Sequence, residues 1–405
     1  MKIGIITIGN ELLNGMRIDT NSSWIGESVQ PAGGNVVWKA SVVDDKNQII
    51  HVLNSISDDI DVIIMTGGLG PTHDDITLKV LSDYFKTKLE FDSHYWEILK
   101  KRYRSLNKKN TKSNRSQAMK PVDASTIDNS IGTARGVHFK NKKFNLFALP
   151  GVPSEMKGMM NSYILPFIYK RSKTKIHYKL LRTTGITESS LFEMLKDKIS
   201  SNKKIELAFL PRFTGVDIRI SSQSEIDLDN FHSDLISMLS KYIYADSNKD
   251  IESIIGDLLK EKKLTLSTAE SCTGGLIADR LTNIPGSSAF FLGGTIAYSN
   301  DVKISDLGVS EKILNKKGAV SSDVAKDMAK GIRQKYNTNI GLSTTGIAGP
   351  EGGSIDKPVG LVYIGLSTED REESFKFNFS ISRKKNKLMF SQGALNILRE
   401  YLLPL

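Results

Sequence analysis

The chain has 405 residues, of which 39% are hydrophobic and 25% charged, so two or three globular domains are expected. Its formal charge of +10 allows an anionic partner, although a lysine-rich solvated surface explains the excess as well. The single cysteine, Cys272, excludes an internal disulfide. Neither a signal-peptide pattern nor a long apolar run is present, so a cytoplasmic protein without membrane spans is predicted.

The first 170 residues alternate short apolar runs with longer mixed segments. Residues 2–7, 61–65 and 144–149 predict strands that are buried on both faces. Residues 21–30 and 75–85 predict helices between them. This alternation predicts an α/β domain over residues 1–170, with a parallel sheet covered by helices on both sides.

The rest of the chain divides into a plain middle segment and a second α/β segment. Residues 171–249 predict a small α+β module with strands at 180–183, 206–209 and 216–221 and helices at 188–199 and 228–242. Residues 250–405 predict a further α/β domain with strands at 264–268, 295–298, 340–343 and 361–366 and helices at 274–282, 322–336 and 384–401.

The densest basic segment is residues 100–115, which contain eight lysines and arginines and no acidic residue. A charge run of this kind is usually a solvated face. We therefore favour that interpretation over a nucleic-acid site.

A glycine-rich loop, TGGLGPTHDDIT, follows the strand predicted at 61–65. Its glycines allow a close backbone approach and expose N–H groups to a phosphate. The predicted ligand contacts are Gly67, Gly68, Gly70 and Thr72. Asp74 and Asp75 follow; one is expected to cap a helix, and either could hold a divalent cation.

Three more carboxylates follow other predicted strands of this segment, namely Glu11, Asp45 and Glu155. Ligands of open parallel sheets bind at such strand ends, which makes the three candidates for a shared site. Capping of helices and turns is the alternative for each of them.

In the C-terminal segment, AESCTGG places Ser271 between a predicted strand and a predicted helix. Backbone N–H groups and the helix dipole at such a turn can stabilise an oxyanion. A serine nucleophile needs a base, and the preferred candidate is Lys303 in YSNDVK, with Tyr298 relaying a proton or holding substrate. Cys272 is a weaker candidate nucleophile, because single cysteines are usually packing residues. A purely binding role of the loop stays open.

A second glycine-rich shell, STTGIAGPEGG, begins at Ser343. Its hydroxyls and glycines, including Thr345, Gly346 and Gly349, suit a phosphate or a ribose, although a tight connection between strands is the alternative. Arg383 is a candidate phosphate clamp.

These motifs, with IGNELLNG, GTA, LPGVPSEM and KPVG, closely resemble those of the CinA (competence/damage-inducible protein) family. For residues 1–170 the resemblance implies a three-layer molybdopterin-binding fold with metal-dependent ADP-ribose pyrophosphatase activity. Asp45 and Asp75 would bind a divalent metal such as Mg²⁺ or the pyrophosphate, with Glu11 and Glu155 assisting and K⁺ as a further possible ion. Arg135 departs from the proline that is usual in this family.

For residues 250–405 the resemblance implies a nicotinamide mononucleotide deamidase that needs no cofactor and forms a homodimer. Ser271, Tyr298 and Lys303 fall on the family's catalytic positions, and Thr345 and Arg383 on or near substrate positions. We also predict substrate contacts from Glu270, Thr273, Gly274 and Lys387, of which Lys387 replaces a family arginine. The middle module resembles a KH domain but lacks the Gly-x-x-Gly loop that clamps nucleic acid.

The sequence therefore predicts a bifunctional pyridine-nucleotide enzyme acting on nicotinamide mononucleotide and ADP-ribose. A nucleic-acid or recombination-partner protein acting in competence is the first alternative. A molybdopterin-binding N-terminal domain is the second.

Overall fold

A computed structural model describes residues 1–72, 75–105, 113–172 and 175–403. The chain forms two compact units, Met1–His177 and Tyr178–Leu405. The second unit contains both the middle module and the C-terminal α/β domain.

The described part of the N-terminal unit contains eight strands, six of which form one sheet. Its strands are β1 (Lys2–Ile8), β2 (Asn35–Val42), β3 (Val62–Thr66), β4 (Leu89–Phe91), β5 (Met119–Pro121), β6 (Ser125–Ile127), β7 (Gly136–Lys140) and β8 (Asn145–Leu149). Its helices are α1 (Asn10–Leu13), α2 (Thr20–Val29), α3 (Lys46–Asn54), α4 (Thr77–Tyr84), α5 (Ser93–Ser105), α6 (Pro153–Met159) and α7 (Leu165–Arg171). Strands β4 and β5 form a separate two-stranded sheet. The three buried strands predicted for this unit are confirmed as β1, β3 and β8.

The strand order β2-β1-β3-β8-β7-β6 makes the sheet parallel from β2 to β8 and antiparallel beyond β8. The predicted parallel sheet is therefore confirmed from β2 to β8 and wrong at the β7–β6 edge. The physical reason is the short connection between β7 and β8, because parallel pairing needs a crossover of a dozen or more residues. Asn141 closes that turn by accepting from the backbone N–H groups of Lys143 and Phe144, both at 2.8 Å.

Apolar side chains cover both faces of the sheet. One cluster joins the sheet to α3 and α4, and another joins it to α2, α6 and α7. Burial of this kind contributes about 25 cal/mol for each Å² of apolar surface removed from water. The helices on both faces confirm the predicted layered α/β fold.

The middle module has a four-stranded sheet in the order β10-β11-β9-β12. Its elements are β9 (His177–Thr183), α8 (Glu188–Ser201), β10 (Glu206–Arg212), β11 (Gly215–Ser222), α9 (Glu225–Leu239) and β12 (Ile243–Ala245). Both helices contribute apolar residues to one cluster with the sheet. The predicted α+β composition is confirmed, and β12 is an addition to it.

The C-terminal domain has a five-stranded sheet in the order β14-β13-β15-β16-β17. Its strands are β13 (Leu266–Glu270), β14 (Phe291–Ile296), β15 (Ile340–Gly346), β16 (Leu361–Ser367) and β17 (Glu372–Asn378). Its helices are α10 (Ile251–Lys262), α11 (Leu276–Thr282), α12 (Asn300–Leu307), α13 (Glu311–Lys317), α14 (Ser322–Tyr336) and α15 (Arg383–Leu402). Strands β14, β13 and β15 are parallel, whereas β16 and β17 are antiparallel. Because β14 ends at Ile296, Tyr298 lies beyond the strand that was predicted to contain it.

Arg182 connects the middle module to the start of the C-terminal domain. It lies on β9, and only 2% of its surface is exposed. Its guanidinium pairs with Asp217 of β11 (3.4 Å) and with Asp250 (2.8 Å), the residue before α10. It also lies over the ring of Tyr244 at 5.7 Å. A buried cation held by two carboxylates fixes this joint, because loss of either partner leaves charge uncompensated.

Candidate functional site

Ser271 lies at the first position after β13, as predicted. Its backbone N–H donates to the carbonyl oxygen of Thr344 on the neighbouring strand β15 (3.0 Å). The chain then turns through Gly274 and Gly275, whose φ angles of +60° and +91° favour glycine, before α11 begins. The serine is therefore held between a buried strand and a helix.

A pocket of about 220 Å³ opens beside Ser271. It brings together six residues predicted from the sequence, namely Ser271, Tyr298, Lys303, Thr345, Gly346 and Arg383. Cys272, Asn300, Ala319, Val320 and Ala348 complete the lining. Of these, Asn300 carried a signal in the sequence, because it belongs to the YSNDVK motif; the loop at Ala319 carried none.

Lys303 lies on α12 and is only 1% exposed. Its Nζ atom donates to the carbonyl oxygens of Ala297 (2.8 Å), Tyr298 (3.3 Å) and Ser299 (3.4 Å). Burial lowers the pKa of Lys303, because the charged ammonium loses its hydration. The folded protein therefore brings this amine closer to the neutral form that can accept a proton.

Arg383, the first residue of α15, is anchored at the pocket rim. Its Nη1 donates to the carbonyl oxygen of Gly349 (2.7 Å) and its Nη2 to the hydroxyl of Tyr298 (2.9 Å). Tyr298 is 63% exposed, so a ligand can reach its hydroxyl. The carbonyl oxygen of Gly349 thus helps to hold Arg383 in place. The Thr345 side chain is also held in place, because its Oγ1 donates to the carbonyl oxygen of Ala319 (2.7 Å).

Glu270 and Thr273 take structural roles instead of the predicted substrate contacts. Glu270 is 1% exposed, and its carboxylate accepts from the backbone N–H groups of Ile277 (3.0 Å) and Ala278 (2.8 Å). Thr273 is buried, with its Oγ1 2.7 Å from that of Thr344. Since Glu270 accepts from the N–H groups of Ile277 and Ala278 in the first turn of α11, these two groups are not available to an oxyanion.

Gly274 and Lys387 lie next to each other but outside the pocket lining. A side chain added at Gly274 would come within 3.3 Å of the Lys387 Nζ atom. Their substrate contacts stay predictions.

Cys272 is a free and buried thiol. Burial raises its pKa to about 12, so the thiol is protonated at neutral pH. The thiolate is the nucleophilic form of cysteine, which favours Ser271 as the nucleophile of this turn.

The glycine-rich loop of the N-terminal unit contains a real conformational requirement for glycine. Gly67 has φ +114°, and a Cβ atom there would lie 2.1 Å from the carbonyl oxygen of Ile8. Gly68, Gly70, Thr72 and Asp75 line a pocket of about 160 Å³.

Asp75 closes this loop instead of capping the helix. Its Oδ2 accepts from the backbone N–H (2.8 Å) and the hydroxyl (2.5 Å) of Thr72. Helix α4 has Ile76 at its N-cap, without a side-chain cap, so Asp75 is not the predicted capping residue. His73 and Asp74 lie outside the described residues.

The other three predicted metal carboxylates lie in separate environments. Asp45 caps α3 by accepting from the backbone N–H groups of Asn47 and Gln48. Glu155 accepts from Asn129 Nδ2 (2.6 Å), and Glu11 lines a different pocket from Asp75. In the described part of the chain, no three His, Cys, Asp or Glu side chains form a group that could hold a metal. The metal centre implied by the resemblance therefore stays a prediction.

The basic segment 100–115 is partly engaged within its own domain. Arg102 donates to the carbonyl oxygens of Asn129 (2.8 Å) and Gly132, and Lys100 pairs with Glu97. Residues 106–112 lie outside the described residues. The interpretation of the whole segment as a solvated face therefore stays a prediction.

Within the described ranges, no helix has both the length and the hydrophobicity that a bilayer span requires.

Three family matches cover the chain. Residues 248–402 match "CinA C-terminal domain", residues 4–170 match "Probable molybdopterin binding domain" and residues 178–245 match "Damage-inducible protein CinA KH domain". A "Putative competence-damage inducible protein" of Halothermothrix orenii is 40% identical over 405 residues, which cover 98% of each chain. The chain belongs to the CinA family. A "CinA-like protein" of Chloroherpeton thalassium is 41% identical over 418 residues, which again cover 98% of each chain.

Solved structures match single domains of this CinA-family chain. The competence/damage inducible protein CihA of Agrobacterium tumefaciens is 41% identical and covers 38% of this chain and 96% of its own, with a TM-score of 0.36. The molybdopterin biosynthesis enzyme MoaB of Thermus thermophilus is 19% identical, with coverage of 42% and 97% and a TM-score of 0.28.

Proposed function

We propose that the C-terminal domain hydrolyses the amide of nicotinamide mononucleotide to nicotinic acid mononucleotide and ammonia. The observation that carries this proposal is the single pocket that contains Ser271, buried Lys303 and Arg383. These groups supply a nucleophile, a base of lowered pKa and a cation for a phosphate.

The reaction proceeds in two halves. The Ser271 hydroxyl attacks the amide carbon while neutral Lys303 accepts its proton, and the tetrahedral intermediate then expels ammonia as Lys303 returns that proton. Water next attacks the resulting ester with Lys303 again as the base, which releases the carboxylate and regenerates Ser271. Backbone N–H groups of the turn between Ser271 and α11 face the oxyanion in this scheme.

Arg383 provides the phosphate contact. Its guanidinium is held by Gly349 and Tyr298, so little side-chain freedom is lost when a ligand binds. Lys387 at the neighbouring family position keeps the charge but offers no planar fork. Arg383→Lys should therefore raise KM more than it lowers kcat, as measured in steady-state assays of nicotinamide mononucleotide. A loss confined to kcat would argue against the phosphate contact.

The direct experiment is to incubate the purified full chain with nicotinamide mononucleotide, measuring ammonia enzymatically and nicotinic acid mononucleotide by chromatography. We expect the two products in equal amounts. Nicotinamide riboside, which lacks the phosphate, is the matched control and should react poorly. Release of free nicotinamide in place of ammonia would refute the proposal, because that product requires cleavage of the glycosidic bond.

The pH dependence follows from Lys303. Because its pKa in the folded protein lies below the ordinary value of 10.5, kcat/KM should rise with pH and level off below pH 10.5.

The unfolded chain binds the Lys303 proton more tightly than the folded protein does, so folding stability should also rise with pH between the folded and unfolded pKa values. Lys303→Met should abolish that stability increment. A flat stability difference between wild type and Lys303→Met over this range would contradict a lowered pKa.

For the N-terminal domain we propose binding and hydrolysis of ADP-ribose at the glycine-rich loop. The supporting observation is the pocket lined by Gly68, Gly70 and Thr72, because the glycines of this loop allow the close backbone approach that suits a pyrophosphate.

Asp75→Ala should reduce ADP-ribose hydrolysis by at least about 10-fold, because it frees the Thr72 end of the loop. Release of AMP from ADP-ribose, with Mg²⁺ or with excess EDTA, is the measurement. Asp83→Ala is a suitable control, since Asp83 forms an exposed pair with Lys46. Equal rates in wild type and Asp75→Ala would exclude this site from the reaction.

A further inference from the structure

A further cavity of the N-terminal domain lies away from the glycine-rich loop. It has a volume of about 500 Å³, within the roughly 300–1,000 Å³ that is usual for small-molecule sites. The glycine-rich loop follows the carboxyl end of β3, whereas this cavity is lined by Asn145 at the amino end of β8. Of the residues that the structure describes, none lines both cavities.

An ordered polar chain forms part of the lining. His138 Nε2 lies 3.0 Å from Asn145 Oδ1, which can only accept, so this nitrogen carries the ring proton. His138 Nδ1 then accepts from the Tyr163 hydroxyl (3.3 Å). Burial lowers the pKa of His138, and the charges of Arg171 and Lys140 lower it further, so the ring is neutral at pH 7.

The helical side of the cavity has an unusual backbone. Residues Met160–Ile164 form a π-helical segment between α6 and α7, and it supplies Ser162 and Tyr163 to the lining. Pro166, also in the lining, cannot donate an N–H to the carbonyl oxygen of Ser162, which accounts for the local widening. Such π-helical turns inside helices occur frequently at functional sites.

The charge of the lining has one sign. Lys140, Lys170 and Arg171 contribute three cations, and no Asp or Glu is among the described residues of the lining. Ser125 and Ser162 add hydroxyl groups to the same cavity. Three cations with hydroxyl donors and no carboxylate complement a phosphate group.

We propose that this cavity, lined by His138, Tyr163, Lys140, Lys170 and Arg171, is a binding site for a small phosphorylated molecule. The cations and serine hydroxyls bind the phosphate, and the Tyr163 hydroxyl, which donates to His138, accepts from a hydroxyl of the ligand. This site is independent of the deamidase and of the glycine-rich loop.

The test is a titration of the full chain with ribose 5-phosphate, with ribose as the uncharged control. The readout is the NMR resonance of the His138 ring in histidine-labelled protein, assigned by its disappearance in His138→Gln. We expect a saturable shift with ribose 5-phosphate and none with ribose. The double variant Lys140→Ala/Lys170→Ala should raise the apparent Kd by at least about 10-fold, because each charged hydrogen bond to the phosphate contributes to binding.

Lys142→Ala is the matched control, because Lys142 is an exposed lysine near Lys140 that does not line the cavity. It should leave the titration unchanged. Absence of a saturable shift, or an unchanged shift in the double variant, would overturn the proposal. A shift produced by single-stranded DNA but not by ribose 5-phosphate would also overturn it, in favour of a nucleic-acid surface.

Discussion

Replacing Ser271 by alanine is expected to reduce kcat/KM for nicotinamide mononucleotide by at least about 10³-fold. Without the hydroxyl no ester can form, and the remaining groups of the pocket bind the nucleotide without a nucleophile. Binding should therefore persist, with a Kd within a few-fold of the wild-type value by calorimetry. Loss of binding together with turnover would indicate a collapsed pocket instead of a missing nucleophile.

Lys303 and Cys272 give the matched variants. Lys303→Met preserves a buried unbranched side chain but removes the base, and general-base catalysis contributes about 10²- to 10⁴-fold. Cys272→Ala should retain most of the activity, because the buried thiol is protonated. If Cys272→Ala were inactive while Ser271→Ala turned over normally, the nucleophile would have to be reassigned.

The largest expected effect on stability is at the joint formed by Arg182. Asp217→Ala removes one of its two carboxylates and leaves a charge buried beside the remaining Asp250. Breaking a buried pair in this way costs about 3–5 kcal/mol, and because one partner remains, the expected loss is about 3 kcal/mol. Urea unfolding followed by circular dichroism measures it.

The matched control for this prediction is Glu193→Gln, which removes an exposed pair with Lys196. Exposed pairs contribute at most about 1 kcal/mol. Tryptophan fluorescence gives an internal reference, because it reports unfolding of the first unit, where Trp24, Trp38 and Trp96 all lie. Asp217 lies in the second unit. Equal losses in the two variants would contradict the importance of the Arg182 joint.

Most strands and helices could be predicted because their apolar runs are long and regular. The helix predicted at residues 322–336 matches α14, and the three buried strands of the N-terminal domain match β1, β3 and β8. The direction of β7 and β6 could not be predicted, because antiparallel pairing depends on the turn at Asn141 and not on hydrophobicity. Edge elements such as β12 and β17 carry only weak patterns.

The candidate site shows a similar division. The sequence placed Ser271, Lys303 and Arg383 at strand or helix ends, and the structure brings them into one pocket. The sequence could not show that the Glu270 carboxylate accepts from backbone N–H groups of α11, because this contact depends on where the helix begins. For the same reason, the four predicted metal carboxylates resembled a set in the sequence but lie in different local environments.

The most direct test of the central proposal is to trap the ester on Ser271. After rapid acid quenching of wild type with nicotinamide mononucleotide, trypsin releases the peptide 264–280, which contains both Ser271 and Cys272. Tandem mass spectrometry should place a nicotinic acid mononucleotide acyl group on Ser271, with no adduct in the Ser271→Ala variant. An adduct on Cys272, or full turnover in Ser271→Ala, would contradict the proposed mechanism.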